Sequence, residues 1–191
     1  VAETVPAQYF VDLYKHEADP WNFETSAYER AKYEATLAAL PRARYSNALE
    51  IACSVGVFTD MLAQRCDELL AVDVSPDALN RARARCASHA HVRFAKAVMP
   101  HEYPGRRFDL TTVCEMGFYL ARDDLLSLRE QVVAHLLPCG HVILVHWTPP
   151  VDGHASTTEE VHEAFRASPF LRHLYGATRD TYRLDVLERV A

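Results

Sequence analysis

The stretch Leu49-Glu50-Ile51-Ala52-Cys53-Ser54-Val55-Gly56 places an acid inside an apolar, strand-like run, which ends in small side chains and the start of a helix. Small residues let a ligand approach the backbone, and the first turn of a helix offers it unpaired N–H groups. Seventeen residues after Gly56, at the end of the next strand-like run, stands Asp73. In doubly wound folds an acid at that place accepts hydrogen bonds from ribose hydroxyls. A pyrophosphate turn of the GxGxxG kind needs three glycines and this stretch has one, which disfavours a nicotinamide dinucleotide. Glu50 suits a cationic ligand better than a diphosphate. S-adenosylmethionine, with its sulfonium and its ammonium, meets that requirement. The candidate cofactor-binding residues are therefore Glu50, Ala52, Cys53, Ser54, Gly56, Asp73 and its neighbour Val74.

Displacement at a sulfonium methyl needs a deprotonated nucleophile held beside the carbon and water kept out; it requires neither a metal nor a protein nucleophile. In an open α/β sheet, ligands lie beyond the carboxyl ends of the strands. Glu115 follows the fourth strand-like run, Tyr119 comes just after it, and His146 ends the fifth, so these three are the candidate catalytic residues. Glu115 would hold an amine and take its proton, or else cap the next segment. His146, whose ordinary pKa is about 6.5, would serve as a base, or else pack beside Trp147 at a sheet edge. Tyr9, Tyr14, Trp21, Phe23, Tyr28 and Tyr33 would form an aromatic lid that attracts a cation or stacks on a sugar ring, or else pack two helices onto the sheet. Residues 1–40 hold seven acids and three bases, which also favours a cationic acceptor.

These residues need elements to hold them. The spacing predicts helices over Ala7–His16 and Tyr28–Leu40 and, after about residue 45, an alternation of strands and helices that argues for a largely parallel α/β sheet. The strands expected are Asn47–Ala52, Glu68–Val74, His91–Ala95, Phe108–Cys114 and His141–Trp147; the helices between them are Val57–Arg65, Asp77–Ala87 and Arg122–Leu137. Ser75-Pro76 reads as an N-cap with proline at the first helical position, and Pro138-Cys139-Gly140 as a helix stop. Arg81, Arg83 and Arg85 read as a solvated helix face. The tail predicts a helix over Thr157–Ala167 and an antiparallel pair, Phe170–Ala177 with Tyr182–Val190, closing one sheet edge.

At 191 residues the chain is expected to be one domain with one core, residues 1–44 forming a helical N-terminal lid. Twenty basic against 26 acidic residues, with no basic cluster, argue against a nucleic-acid partner. Apolar runs such as Leu69–Val72 and Val142–Val145 fall far below the ~20 residues that span a bilayer, so no membrane partner is expected. Five scattered cysteines without a close pair read as thiols of a reducing cytosol, and no secretory signal precedes Val1, so the expected compartment is cytoplasmic. His89 and His91 lack an acid or cysteine at ligand spacing, and no metal site is expected.

The run Leu49–Leu62 resembles motif I of the class I S-adenosylmethionine-dependent methyltransferases and, more narrowly, the nodulation-S family. The resemblance continues in Asp19-Pro20-Trp21 with Tyr28-Glu29-Arg30, in Phe108-Asp109-Leu110 through Glu115, in Tyr119-Leu120 and in Pro138–Val142. His146-Trp147, Val151-Asp152-Gly153 and Tyr182-Arg183-Leu184-Asp185 look like a bacterial branch of that family. It implies a Rossmann-like, seven-stranded, mostly parallel sheet with helices on both faces. It also implies S-adenosylmethionine as cofactor, Trp21 and Arg30 beside it, and N-methylation of an amine on a sugar. Two positions depart from the pattern: Ala52 replaces a usual glycine, and Ala95–Pro100 lacks the acid that usually meets the adenine amine. Those departures keep open a methyltransferase-like protein that binds a ligand without transferring a methyl group. A small-molecule O-methyltransferase is the nearer alternative.

Overall fold

The computed structural model describes residues 3–190. Their seven strands are ordered β3-β2-β1-β4-β5-β7-β6 in one sheet with flanking helices, the Rossmann-like arrangement that the resemblance implied. The chain clusters into two compact units, Pro6–Val98 and a second made of the first residues with Met99–Ala191.

In the unit Pro6–Val98, helices α1 (Ala7–His16) and α2 (Ala27–Ala39) precede strands β1 (Tyr45–Ile51), β2 (Cys66–Asp73) and β3 (Val92–Lys96), linked by α3 (Val57–Ala63) and α4 (Pro76–Arg85). All three strands pair in parallel, with Glu50 opposite Ala71 and Asp73 opposite Lys96. β1 is buried over nearly its whole length, as a strand covered on both faces must be. Ser75 caps α4 as its sequence announces: the hydroxyl accepts from Ala78 N, and Pro76 follows at the first helical position, where its missing N–H costs nothing.

In the other unit, β4 (Phe108–Cys114) and β5 (Leu136–Trp147) are parallel, and β7 (Tyr182–Arg189) lies antiparallel between β5 and β6 (Leu171–Thr178). A 3-10 turn at Gly117–Tyr119 and helix α5 (Arg122–His135) connect β4 to β5, and α6 (Thr158–Arg166) starts in a capping box between Thr157 and Glu160. One expectation is corrected here. Pro138-Cys139-Gly140 does not separate helix from strand; β5 begins at Leu136 and carries these residues as a bulge, the register jumping from Phe108↔Leu136 to Leu110↔His141. Cys139 takes a φ of 60° within the bulge, the kind of kink that admits a proline in a ladder.

One glycine is fixed by close approach. Gly56 has a φ of 80° at the start of α3, and a Cβ there would lie 2.8 Å from both Cα and Cβ of Ala82 on α4. Gly56→Ala therefore combines left-handed strain with overpacking, and denaturant unfolding should show a loss of about 2–4 kcal/mol.

Candidate functional site

The backbone beyond β1 is bent by three positive φ angles, 58° at Ala52, 52° at Ser54 and 80° at Gly56. For a residue with a Cβ this conformation costs roughly 1–2 kcal/mol, so Ala52 holds the shape at a strain that glycine would avoid. The bend turns the loop back under β2: Cys53 N donates to Val72 O at 3.0 Å and Gly56 N to Cys53 O at 3.0 Å. Asp73 ties it down, with Oδ2 accepting Ser54 N at 2.8 Å and Oδ1 accepting Ser75 N at 2.9 Å. Burial pushes the Asp73 carboxyl up, against the N–H groups of Ser75, Ser54 and Val74 that favour its charge. A carboxylate offers about four acceptor positions, so these bonds leave it able to receive hydroxyls.

Glu50 stands in the last turn of the pleat before that loop, 3% exposed, and its Oε2 has no hydrogen-bond partner among the described residues. Burial, with the charge of Asp73 adding to it, raises its carboxyl to about 8. A buried acid without a counter-charge is costly, and a cation is what relieves the cost. The residues thus fit S-adenosylmethionine at its cationic amino-acid end through Glu50 and at its ribose through Asp73. At the adenine end Lys96 faces Asp73 across the register, and no acid follows it as far as Pro100.

Other groups in the same unit close over the loop. The Tyr14 hydroxyl on α1 meets Ser54 Oγ, and burial next to Asp73 raises its pKa well above the phenol range. Trp21, partly exposed, lies edge-on to Tyr14 with ring centroids 5.7 Å apart. Asp19, in the Asp-Pro-Trp turn, accepts Glu24 N on Oδ2 and keeps Oδ1 buried without a hydrogen bond among the described residues. Tyr14 was expected only as one of the lid aromatics and Asp19 only as part of the Asp19-Pro20-Trp21 resemblance; neither was among the expected cofactor-binding residues. Arg30 is not brought to the loop: its guanidinium is 75% exposed and pairs with Glu34. The solvated arginine face is corrected as well. Arg81 Nη1 donates to Tyr14 O at 3.2 Å and Arg85 Nε to Val55 O at 3.0 Å, so two of the three brace the loop and its cover.

In the second unit, Glu115 takes a φ of 52° directly after β4, donates its N–H to Val145 O and accepts Trp147 N on Oε2 at 2.9 Å. Its carboxylate is thereby fixed at the carboxyl ends of β4 and β5. Tyr119 ends the 3-10 turn, whose carbonyls are well anchored: Tyr119 O accepts Val5 N, and Phe118 O accepts both Ala155 N and Ser156 N, each at 2.9 Å. His146 is fully buried; Nε2 accepts Gly117 N at 3.1 Å and Nδ1 meets His162 Nε2 at 3.1 Å. A ring so engaged has no lone pair left for a substrate proton, which removes the geometry that a base at His146 would need. A histidine outside the expected set stands beside Tyr119: the His154 ring stacks on Phe118 at 4.0 Å and meets Tyr119 edge-on at 5.1 Å. Partial burial lowers its pKa, so it is neutral at pH 7.

A family model described as nodulation protein S (NodS) matches residues 10–168. The chain belongs to the NodS family. It is 33% identical over 129 residues to nodulation protein S of Sinorhizobium fredii (strain NBRC 101917 / NGR234), covering 65% of this chain and 59% of that one. With nodulation protein S of Bradyrhizobium diazoefficiens it shares 33% identity over 156 residues, 78% of this chain and 74% of the relative. The match thus spans little more than half of the Sinorhizobium protein. Among solved structures, the N-methyltransferase NodS of Bradyrhizobium japonicum WM9 in complex with S-adenosyl-L-homocysteine superposes with a TM-score of 0.85 at 24% identity, over 96% of this chain and 98% of that one, a likeness of fold. The NodS match contains Glu50, the 52–56 loop, Asp73, Glu115, Tyr119 and His146, and stops before β6 and β7. No helix among the described residues is long and apolar enough to cross a membrane.

Glu50 generates a testable pH dependence. Its folded pKa of about 8 lies above the usual 4.5, so its contribution to stability is present below pH 4.5 and is lost as pH rises through 8. Glu50→Gln should therefore gain in melting temperature over the unsubstituted protein as pH is raised across that window, and the two should converge in acid.

Proposed function

We propose that this NodS-family chain transfers a methyl group from S-adenosylmethionine to a small-molecule acceptor, most directly an amine nitrogen such as that of an amino sugar. The observation that carries the reading is Glu50, a buried acid with an unpartnered oxygen at the end of β1, beside an Asp73 that still has acceptor capacity. That pair suits a ligand with a cationic end and a ribose and opposes a diphosphate. Bound S-adenosylmethionine supplies a methyl group on a cationic sulfur, open to in-line attack by an electron pair.

The chain's own residues have separable tasks in this proposal. Glu50 neutralises the cationic end, Asp73 and Val74 hold the ribose edge, and the Ala52–Gly56 backbone brings the cofactor close to the sheet. Residues up to 44 act as the lid: Tyr14 and Trp21 exclude water from the loop, and Asp19 adds a third acid beside Glu50 and Asp73. Glu115 holds the acceptor's ammonium by charge, and Tyr119 lines its approach. An ammonium must lose a proton before its nitrogen can attack, and His154 is neutral, half-exposed and stacked beside Tyr119, in the loop after β5.

Calorimetric titration of S-adenosylhomocysteine into the protein tests the first part. Binding in the micromolar range is expected, weakened roughly 10–100-fold in Asp73→Ala, the loss of charge-assisted hydrogen bonds. Absence of binding up to millimolar ligand would overturn the reading. Formation of S-adenosylhomocysteine from S-adenosylmethionine with glucosamine as acceptor then separates a working methyltransferase from a protein that only binds.

A further inference from the structure

Three side chains in the second unit form a buried hydrogen-bonded line with a fixed direction. Gly117 N–H donates to His146 Nε2 at 3.1 Å, His146 Nδ1 meets His162 Nε2 at 3.1 Å, and His162 Nδ1 meets Asp185 Oδ2 at 2.7 Å. His146 and His162 are both 0% exposed and Asp185 is 1% exposed. A backbone N–H can only donate, so Nε2 of His146 is bare and its proton sits on Nδ1. That proton points at His162 Nε2, which must also be bare, and the His162 proton on Nδ1 goes to the carboxylate. The line therefore holds one proton per imidazole, and both rings are neutral.

Its surroundings hold this direction. Asp185 also accepts from Arg183 Nε at 2.8 Å and meets His173 Nε2 at 2.6 Å and Arg166 at 3.5 Å, a set of partners that keeps it ionised with a pKa of about 2. Arg183 in turn reaches Glu159 and Glu163 on α6, and the carboxylate in direct contact with the imidazole pair is Asp185 at its outer end. Burial lowers the His162 pKa against the pull of that carboxylate. A further proton entering the pair would put an N–H on His162 Nε2, force His146 Nδ1 to become bare, and place the His146 proton on Nε2 against the Gly117 N–H. One added proton therefore breaks the bond at the far end.

That far end is the turn of Gly117–Tyr119. It packs directly on the ring: a Cβ at Gly117 would lie 2.6 Å from Val161 Cγ1 and 3.0 Å from His146 Nε2. The same turn presents Tyr119 and the Phe118 face on which His154 lies. We propose that His146, His162 and Asp185 are positioning residues, a polarised line that fixes the Gly117–Tyr119 turn through the Gly117 N–H and releases it when the imidazole pair takes up a proton. What the turn serves rests on the methyltransferase reading; the line itself belongs to the ligand-free protein and is tested there.

The experiment is nitrogen-15 NMR of the histidine rings and amide exchange at Gly117, on the full chain without ligand. At alkaline pH both Nε2 atoms should report as unprotonated. On acidification, proton uptake by the pair and a rise of about tenfold in Gly117 opening, the loss of one hydrogen bond, should follow the same titration curve. His146→Gln, which keeps an acceptor at the ε position, should retain most of the Gly117 protection, whereas His146→Asn, which reaches only toward His162, should lose about tenfold. A protonated Nε2 on His146 at alkaline pH, or Gly117 opening that ignores the titration, would overturn the proposal. The ring measurement on the unsubstituted protein decides this even where a variant fails to fold. A line that behaves as stated in a protein that binds no S-adenosylhomocysteine would uphold the positioning device and remove the methyltransferase reading.

Discussion

The carboxylate of Asp73 accepts the N–H groups of Ser54 and Ser75, so the loops leaving β1 and β2 are held by one anion. Much of the first unit's shape follows from that clasp. To bring its N–H to Asp73, Ser54 has to sit in a left-handed turn, and Ala52 before it has to bend the same way. The turn delivers Gly56 against Ala82, where a side chain has no room, and it starts α3 directly beneath the bend. A segment strained at both Ala52 and Ser54 persists only where its surroundings over-determine it. Here the determinants are Asp73, the Val72 carbonyl, the Tyr14 hydroxyl on Ser54 Oγ and the Arg85 guanidinium on Val55 O.

The electrostatics of that unit are one-sided. Glu50, Asp73 and Asp19 are acids with buried oxygens, and Arg81 and Arg85 place their hydrogen bonds elsewhere, Arg81 on Tyr14 O and Arg85 on Val55 O and the Glu24 carboxylate. Burial raises the carboxyls of Glu50 and Asp73, and the Tyr14 hydroxyl with them. Such an arrangement is unfavourable for folding alone and favourable for a cation, because an arriving positive charge recovers in a low-dielectric pocket what the acids lose there. The same field would repel a pyrophosphate, in agreement with the missing glycines of the turn.

Legibility in the sequence followed the range of the interaction. Where the determinant is local, the residues announced the structure: Ser75-Pro76 started α4, Thr157 started α6, Phe108–Cys114 was the strand expected, and the small residues up to Gly56 made the loop. Where the partner is distant, pattern alone was silent. Arg81 and Arg85 look like a solvated face because their periodicity on α4 says nothing of the carbonyls at 14 and 55. Pro138-Cys139-Gly140 has the composition of a stop, and only the pairing of β4 with β5 shows that a bulge absorbs it. His146 reads as a base from its strand-end position; its partner His162 is 16 residues on, and Asp185 a further 23. Tyr14 and Arg30 illustrate the opposite risk, since both lie in the same acid-rich segment and only the fold separates the one that meets Ser54 from the one in solvent.

Glu50 and His146 are thus buried polar groups treated in opposite ways, and the difference is chemical. A group that must attract a charged ligand has to be left short of a partner, as Glu50 is, and the cost appears as a raised pKa. A group that must hold a backbone in place has to be fully engaged, as His146 is, with each ring nitrogen in a defined role and an ionised carboxylate at the end of the line to set the direction. A lone buried histidine beside Gly117 could take either tautomer, and one of the two would oppose the N–H it needs to accept. Coupling it to His162 and Asp185 removes that choice, because the only proton arrangement without a clash is the one that leaves Nε2 bare. Order in the Gly117–Tyr119 turn is then a property of the protonation state two side chains away, on elements that carry no residue of the turn itself.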